Sequence, residues 1–261
     1  MTRPIVFATD YSLRDEFVGV CHGVIARIAP GARVIDLTHA IRRQDVLDGA
    51  LTLVRASRFM PTDAVWLAVV DPEVGSNRRS IAGRMVTGAF VVGPDNGLLS
   101  LLWKSLGGLE AAVEISDEDV LLRPVSRTFH GRDVFAPAAA DLALGKPLAA
   151  LGPEVVPDVL VRLAMPPARV RGGRIECVVL DVDTFGNVEL NIHPPALEEA
   201  GLARAFRVGD LFVRRADTFS DVSEGELVAI EDSQGHVAIA VNRGSASDTL
   251  GVRQGDVLTL S

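Results

Sequence analysis

Two segments of the chain carry side chains able to activate a small nucleophile. In AVWLAVVDPEVGSNRR, residues 64–79, an apolar run from Val65 to Val70 stops at Asp71-Pro72, turns at Gly75 and reaches Arg78. A carboxylate and a guanidinium across such a turn can fold towards each other. They then form either a loop-tying ion pair or part of a reaction centre. In TFHGRDVFAPAAA, residues 128–140, His130 stands just before a predicted helix, with Asp133 placed to cap it and Gly131 permitting close approach. An imidazole there is either structural or an acid–base group facing a crevice.

Further polar candidates sit at strand ends and turns. Asp10, Asp36, Asp71 and Asp95 each follow an apolar run, which points to a shared polar cleft at one edge of a sheet. Asp10 could accept hydrogen bonds from a ribose diol. No GxGxxG or Walker sequence follows the first strand, so a nucleoside without phosphate fits better than a dinucleotide or triphosphate. In DTFGNVELNI, Gly186-Asn187 predicts a turn, and Asp183, Asn187 and Asn191 offer donors and acceptors for an amino acid or a purine. NRGSASDTLGVRQGD, residues 242–256, is a polar loop whose amides could read a purine edge. His39 is a weaker relative of His130. His22, His193 and His236 show no companions in sequence, and nothing has zinc-ligand spacing, so no metal is expected.

The elements that must position these groups fall into two sets. PIVFATD, ARVIDLTH, AVWLAVVDP and AFVVGPDNG read as buried strands. Helical patterns alternate with them at residues 15–28 and 45–59, in NGLLSLLWKSLGG and in RDVFAPAAADLALGK. Alternation of this kind predicts βαβ units and a mostly parallel sheet. Near MPPARVRGGR the pattern changes: Pro166, Pro167, Gly172 and Gly173 predict a linker over about 166–173. RIECVVLDVD, GNVELNI, DLFVRRA, ELVAIED, HVAIAVN and DVLTL then read as strands. Asp232-Ser233-Gln234-Gly235 is a hairpin turn and LEEAGLARAF, residues 197–206, a short helix. The expectation is an N-terminal α/β sandwich (residues 1–165) and a smaller, antiparallel, barrel-like β domain (residues 174–261).

The bulk numbers narrow the class. Of 261 residues, 48% are hydrophobic and 23% charged, an ordinary globular composition. A net charge of −8 argues against a nucleic-acid partner. Cys21 and Cys177 give neither a disulfide framework nor a zinc knuckle, which suits a reducing compartment. The short apolar run at the N-terminus meets Asp10 early, unlike a secretory leader, and no stretch is long enough to span a bilayer. A cytoplasmic protein without membrane partners is expected.

In order along the chain, TDYSLRDEFVG, DLTHAI, VVDPEVGSNRR, GPDNGLL, TFHGRD, DTFGNVELNI, TFSDVSEGELVAI and the loop around NRGSA resemble the S-adenosyl-L-methionine (SAM) hydroxide adenosyltransferases. These are the adenosine-forming SAM hydrolases, and SAM-dependent fluorinases and chlorinases are their relatives. The resemblance spans nearly the whole chain. It implies a homotrimer with active sites shared between subunits, SAM as substrate and no cofactor. It places a water-orienting Asp, Arg and His on Asp71, Arg78 and His130. It maps SAM contacts to Asp10 for the ribose and to Thr128 and Phe129 beside the reacting carbon. Asp183 and Asn187 would hold the methionine portion, and Phe219 with the 243–246 loop, including Ser245 and Ala246, would bind adenine. The family usually reads Asp-Pro-Gly-Val-Gly at the first segment, where this chain has Glu73, and Phe-Gly where it has Tyr11-Ser12. A charged triad where halogenases form a halide pocket, and no room for the fluorinases' extra loop, favour water over halide. The alternatives are a 5′-halo-adenosine-forming halogenase and a SAM- or adenosine-binding module without turnover.

Overall fold

The computed structural model describes residues 2–165 and 167–261. It divides into two compact units, residues 1–163 and 164–261.

In the first unit, the apolar runs become strands β1 (Ile5–Thr9), β2 (Val34–Thr38), β3 (Val65–Val69) and β5 (Phe90–Pro94), and less apolar segments supply β4 (Ser80–Met85), β6 (Leu109–Glu114) and β7 (Glu154–Val155). The sheet order is β2-β1-β3-β5-β4-β6-β7. The β2-β1-β3-β5 half is parallel, whereas β4, β6 and β7 join by antiparallel pairings. Successive side chains of a strand point to opposite faces. Ile5, Phe7, Val65, Leu67 and Val69 therefore pack beneath helices α1 (Phe17–Ile28) and α4 (Ala136–Ala143). Val6, Ala8, Trp66, Ala68 and Val70 pack on the other side against α2 (Val46–Ala56) and α3 (Ser100–Ser105). Both faces being covered explains why these strands read as continuous apolar runs rather than alternating ones. Asp45 caps α2 by accepting the Asp48 N–H.

The second unit contains β8 (Arg169–Arg171), β9 (Arg174–Val182), β10 (Val188–Leu190), β11 (Ala205–Val208), β12 (Leu211–Arg215), β13 (Leu227–Glu231), β14 (Val237–Val241) and β15 (Val257–Leu260), with α5 (Pro194–Glu199) and α6 (Ala246–Leu250). The order β10-β14-β13-β12-β11-β15-β9 closes through the β9–β10 pairing into a seven-stranded barrel, with β8 appended outside the ring on β9. All pairings are antiparallel except β12–β13. Its interior is filled by residues such as Val179, Phe206, Val213 and Ile239.

The second unit departs from the sequence-based expectation in two places. The stretch read as a linker includes β8, and Gly172-Gly173, both at positive φ, form the turn of a β8–β9 hairpin. Pro166 lies outside the described residues. The helix expected over 197–206 instead starts at Pro194, because two prolines in its first turn cost no hydrogen bonds there. Its expected end, Ala205–Phe206, is the start of β11. The Asp232–Gly235 turn does join β13 to β14: Asp232 Oδ1 accepts the N–H groups of Gln234 (2.8 Å) and His236 (2.9 Å). Among the described residues no helix is long and apolar enough to cross a membrane.

The β3–β5 contact is tight. A Cβ on Gly93 would stand 2.4 Å from the Ala68 carbonyl oxygen. Gly93→Ala should therefore lower stability by about 1–3 kcal/mol, read as an earlier urea midpoint with an unchanged slope.

Candidate active site

The parallel strands β1 and β3 are neighbours, with Thr9 opposite Val69, so the residues that follow them emerge side by side. Asp10 and Asp71 are thus delivered to the carboxyl edge of the sheet, where open α/β sheets bind ligands. Asn96 Nδ2 donates to the Val70 carbonyl (2.8 Å) and pins the strand end just before Asp71. The chain then turns, with Gly75 at φ +81° and the Arg127 carbonyl oxygen 2.4 Å from where its Cβ would lie. Gly75 is fixed as glycine by conformation and by space. Glu73, by contrast, is exposed and is not among the residues at positive φ, so the side chain is accommodated without left-handed backbone. The strained departure is Ser12, at φ +66°, whose N–H donates to the His39 carbonyl (2.7 Å).

The turn returns Arg78 onto Asp71. Arg78 Nε donates to both carboxylate oxygens, at 3.0 and 3.1 Å, and Nη2 donates to Oδ2. Both side chains are almost fully buried, at 4% and 5% exposure. Arg78 Nη1 donates to Ser80 Oγ (2.8 Å), and the guanidinium lies 5.2 Å from the centre of the Phe135 ring. Nη2 also donates to His130 Nδ1 (2.7 Å). A guanidinium has donors and no acceptor. His130 Nδ1 must therefore present its lone pair, which leaves the proton of the neutral ring on Nε2. Burial, and then the Arg78 charge, hold the His130 pKa below its ordinary value despite Asp71 and Asp133.

His130 is placed by an irregular turn. Residues Gly131–Phe135 form one turn of π-helix leading into α4. Pro137 has no N–H to donate to the Asp133 carbonyl, which accepts from Leu122 N–H instead (2.8 Å). Asp133 does not cap the helix as expected. Its buried carboxylate accepts the Ser126 N–H and pairs with Arg132. Gly131 leaves room for Tyr11, since its Cβ would lie 2.2 Å from the Tyr11 hydroxyl oxygen. The Tyr11, Phe17 and Phe129 rings pack edge to face or tilted, with centroids 5.1–5.9 Å apart. Burial pushes the Tyr11 phenol well above its ordinary pKa.

Asp10, Asp71, Thr128 and His130 line one cavity of about 390 Å³, together with Tyr11, Phe17, Arg43 and Gln44. Phe129 is half-buried in the aromatic group beside it. Asp10 Oδ2 accepts the Gln44 N–H (2.9 Å), which opposes a burial effect that raises its pKa. Of the four acidic strand ends expected to share a cleft, only Asp10 and Asp71 line this cavity. Asp95 is buried against Arg79 and the Val161 N–H, and Asp36 is bound by two histidines. Phe17, Arg43 and Gln44 carried no functional signal in the sequence, and Tyr11 stood out there only as a departure from the family pattern. Gln44 carried no turn signal, although it adopts φ +62°.

In the second unit, Asp183, Asn187 and Phe219 line a separate cavity of about 560 Å³ with Phe185 and Arg243. The Asp183 carboxylate organises the β9–β10 turn, accepting from Phe185 N–H, Asn187 N–H and Asn187 Nδ2. Phe185 is 79% exposed, an aromatic ring held in solvent at a turn tip that the sequence reading passed over. Ser245 caps α6 by accepting the Asp248 N–H, and its side chain packs where a Gly186 Cβ would be. Ala246 is fully buried in the barrel core, so only its backbone could meet a ligand. Asn191 does not join this group: its Oδ1 accepts the Val178 N–H (2.7 Å).

Comparison with known proteins matches both units. The family model of the SAM hydroxide adenosyltransferase N-terminal domain matches residues 5–152, and that of the C-terminal domain matches residues 177–259. An (R)-S-adenosyl-L-methionine hydrolase of Salinispora tropica is 51% identical over 98% of this chain and 97% of its own length. One from Thermus thermophilus is 41% identical over 97% of each. Fluorinases are more distant, at 29% identity. The crystal structure of an uncharacterized conserved protein from Thermotoga maritima superposes with a TM-score of 0.89 at 36% identity, covering 98% of this chain and 99% of that one.

The contact with Arg78 fixes the ring state of His130. Nitrogen NMR of the histidine side chains should find His130 with its proton on Nε2 at neutral pH. Its titration should lie below the ordinary value of about 6.5. A proton on Nδ1 at neutral pH would contradict the arrangement.

Proposed function

The chain belongs to the SAM hydroxide adenosyltransferase family and is a SAM hydrolase, and we propose that Asp71, Arg78 and His130 hold the attacking water for an SN2 displacement at C5′ of SAM. The observation that carries this reading is the buried Arg78 bridge, which draws Asp71 and His130 to one wall of a cavity that also holds Asp10. The water oxygen forms a bond to C5′ as the C5′–S bond breaks. The bonding pair goes to sulfur, so methionine leaves as a neutral thioether and needs no acid. The attacking oxygen gives up one proton as the bond forms, so the products are adenosine, L-methionine and one proton passed on to solvent.

The side chains divide this work. With Nδ1 occupied by Arg78, His130 offers Nε2–H to the water oxygen and orients a lone pair towards C5′. It is a donor in this scheme, not the proton acceptor. The Asp71 carboxylate, held in place by Arg78, has lone pairs left to take a water proton as the new bond forms. Alignment of water, C5′ and sulfur supplies much of the effect, since a near-attack arrangement lowers barriers by up to about 7–11 kcal/mol in favourable intramolecular models. Asp10 holds the ribose hydroxyls, and Thr128 and Phe129 stand beside the reacting carbon. Asp183 and Asn187 receive the methionine portion. Phe219 and the backbone around Ser245 and Ala246 receive adenine. A homotrimer, in which a second copy of the chain completes each site, follows from the family reading, as does a cytoplasmic location. SAM is substrate, and no cofactor takes part.

Three measurements test this. Asp71→Asn and His130→Ala should each slow adenosine release from SAM by about 10²–10⁴-fold with SAM binding retained. Full turnover by both would overturn the assignment. Activity should fall on acidification only below the ordinary histidine pKa, because protonating Nδ1 sets His130 against Arg78. With chloride or fluoride present, chromatography should find adenosine and no 5′-halo-adenosine; a halogenated product would favour the halogenase instead.

A further inference from the structure

Away from the cavity, His22 converges on one point with Asp36 and His39, a pair three residues apart. His22 comes from α1, Asp36 from β2 and His39 from the segment that follows β2. His22 Nε2 lies 2.8 Å from Asp36 Oδ1, and His39 Nε2 lies 3.0 Å from the same oxygen. All three ligand-type atoms fall within 4.8 Å of one another. We propose that His22, Asp36 and His39 form a binding site for a divalent transition-metal ion of the zinc class.

The chemistry of the set supports this. Two imidazole nitrogens and a carboxylate oxygen, with a side open to solvent, are ligands suited to zinc, cobalt or nickel rather than to calcium or magnesium. Ligand atoms around a zinc-sized ion stand roughly 3–3.5 Å apart, given bonds of about 2.0–2.2 Å. The observed spacings to Asp36 are slightly shorter, as expected where protons on the two Nε2 atoms bridge to the carboxylate in place of an ion. Burial opposes ionisation of Asp36, but the hydrogen bonds from His39 and His22 outweigh it and hold its pKa below the usual range.

The rings are also set in advance. His39 is 5% exposed, and its far nitrogen, Nδ1, lies 2.9 Å from Thr9 Oγ1. Metal-bound histidines are oriented by such a contact on the second ring nitrogen. The Phe7 ring meets both imidazoles near edge-on, with centroids 5.8 and 4.7 Å away. Asp36 and His22 remain partly exposed, at 46% and 33%, which gives an ion a path in and room for water ligands. The site has a mechanical link to the rest of the unit. His39 touches Thr9 through its side chain and Ser12 through its carbonyl, the residues that bracket Asp10 and Tyr11. An ion there would tie α1, β2 and that segment together.

Cobalt(II) titrated into the full chain, freed of metal beforehand with a chelator, is the direct test. One equivalent per chain should bind, read by visible absorption from nitrogen- and oxygen-ligated cobalt and by calorimetry. His22→Ala, on a partly exposed helix position, should bind at least tenfold more weakly while keeping the wild-type circular dichroism. Thr9→Val should weaken binding by about 10–100-fold, the usual cost of losing an orienting partner. No saturable binding would overturn the proposal, as would binding undiminished in His22→Ala. Loss of binding in His236→Ala alone would also overturn it. That result would place the ion at Glu189, Asp232 and His236, the other such cluster among the described residues.

Discussion

The candidate site depends on one buried cation. Arg78 makes the contacts that hold Asp71 and His130 in the same place, and those two come from distant parts of the chain. A buried guanidinium is costly unless its donors are met. Here Asp71, Ser80 and His130 meet them, with the Phe135 ring beneath. The same requirement fixes the state of the histidine. A group that can only donate hydrogen bonds forces its neighbour to accept, so the cation selects the tautomer as well as the position.

That cation can be buried only because the backbone around it is tightly specified. Asn96 holds the end of β3, and Gly75 fits a turn pressed against the Arg127 carbonyl. Pro137 unlatches one carbonyl at the start of α4 and gives the irregular turn that carries His130. Each of these features acts on the backbone, and together they set side-chain positions that no single residue could set.

Much of this was legible in the sequence, for physical reasons. Strands buried on both faces, such as Val65–Val69, leave unbroken apolar runs, and Asp71 and Arg78 stand at the end and turn where that run stops, while His130 stands at the start of a helical segment. The antiparallel half of the first sheet was not legible. β4 is interrupted by Gly83, beside which Leu109 leaves little room, and by Arg84, which pairs with Glu110 of β6 on the exposed side. Those residues answer to neighbouring strands, and such pairing is not periodic in sequence. The same holds for His22, which has no sequence companion and acquires Asp36 and His39 only when β2 lies against β1. The aromatic group of Tyr11, Phe17 and Phe129 is likewise a product of tertiary contact.

The closure of the second unit has a consequence for how it can meet other chains. Among the described residues, the closed ring of seven strands has no edge strand, and β8 is the strand that lies outside it. That strand is three residues long and has arginine at both ends. Short, cationic edges resist the addition of a foreign strand. Association by this unit is therefore favoured through side chains and loops, and a stray extended segment finds a poor template on it from which a fibre could grow.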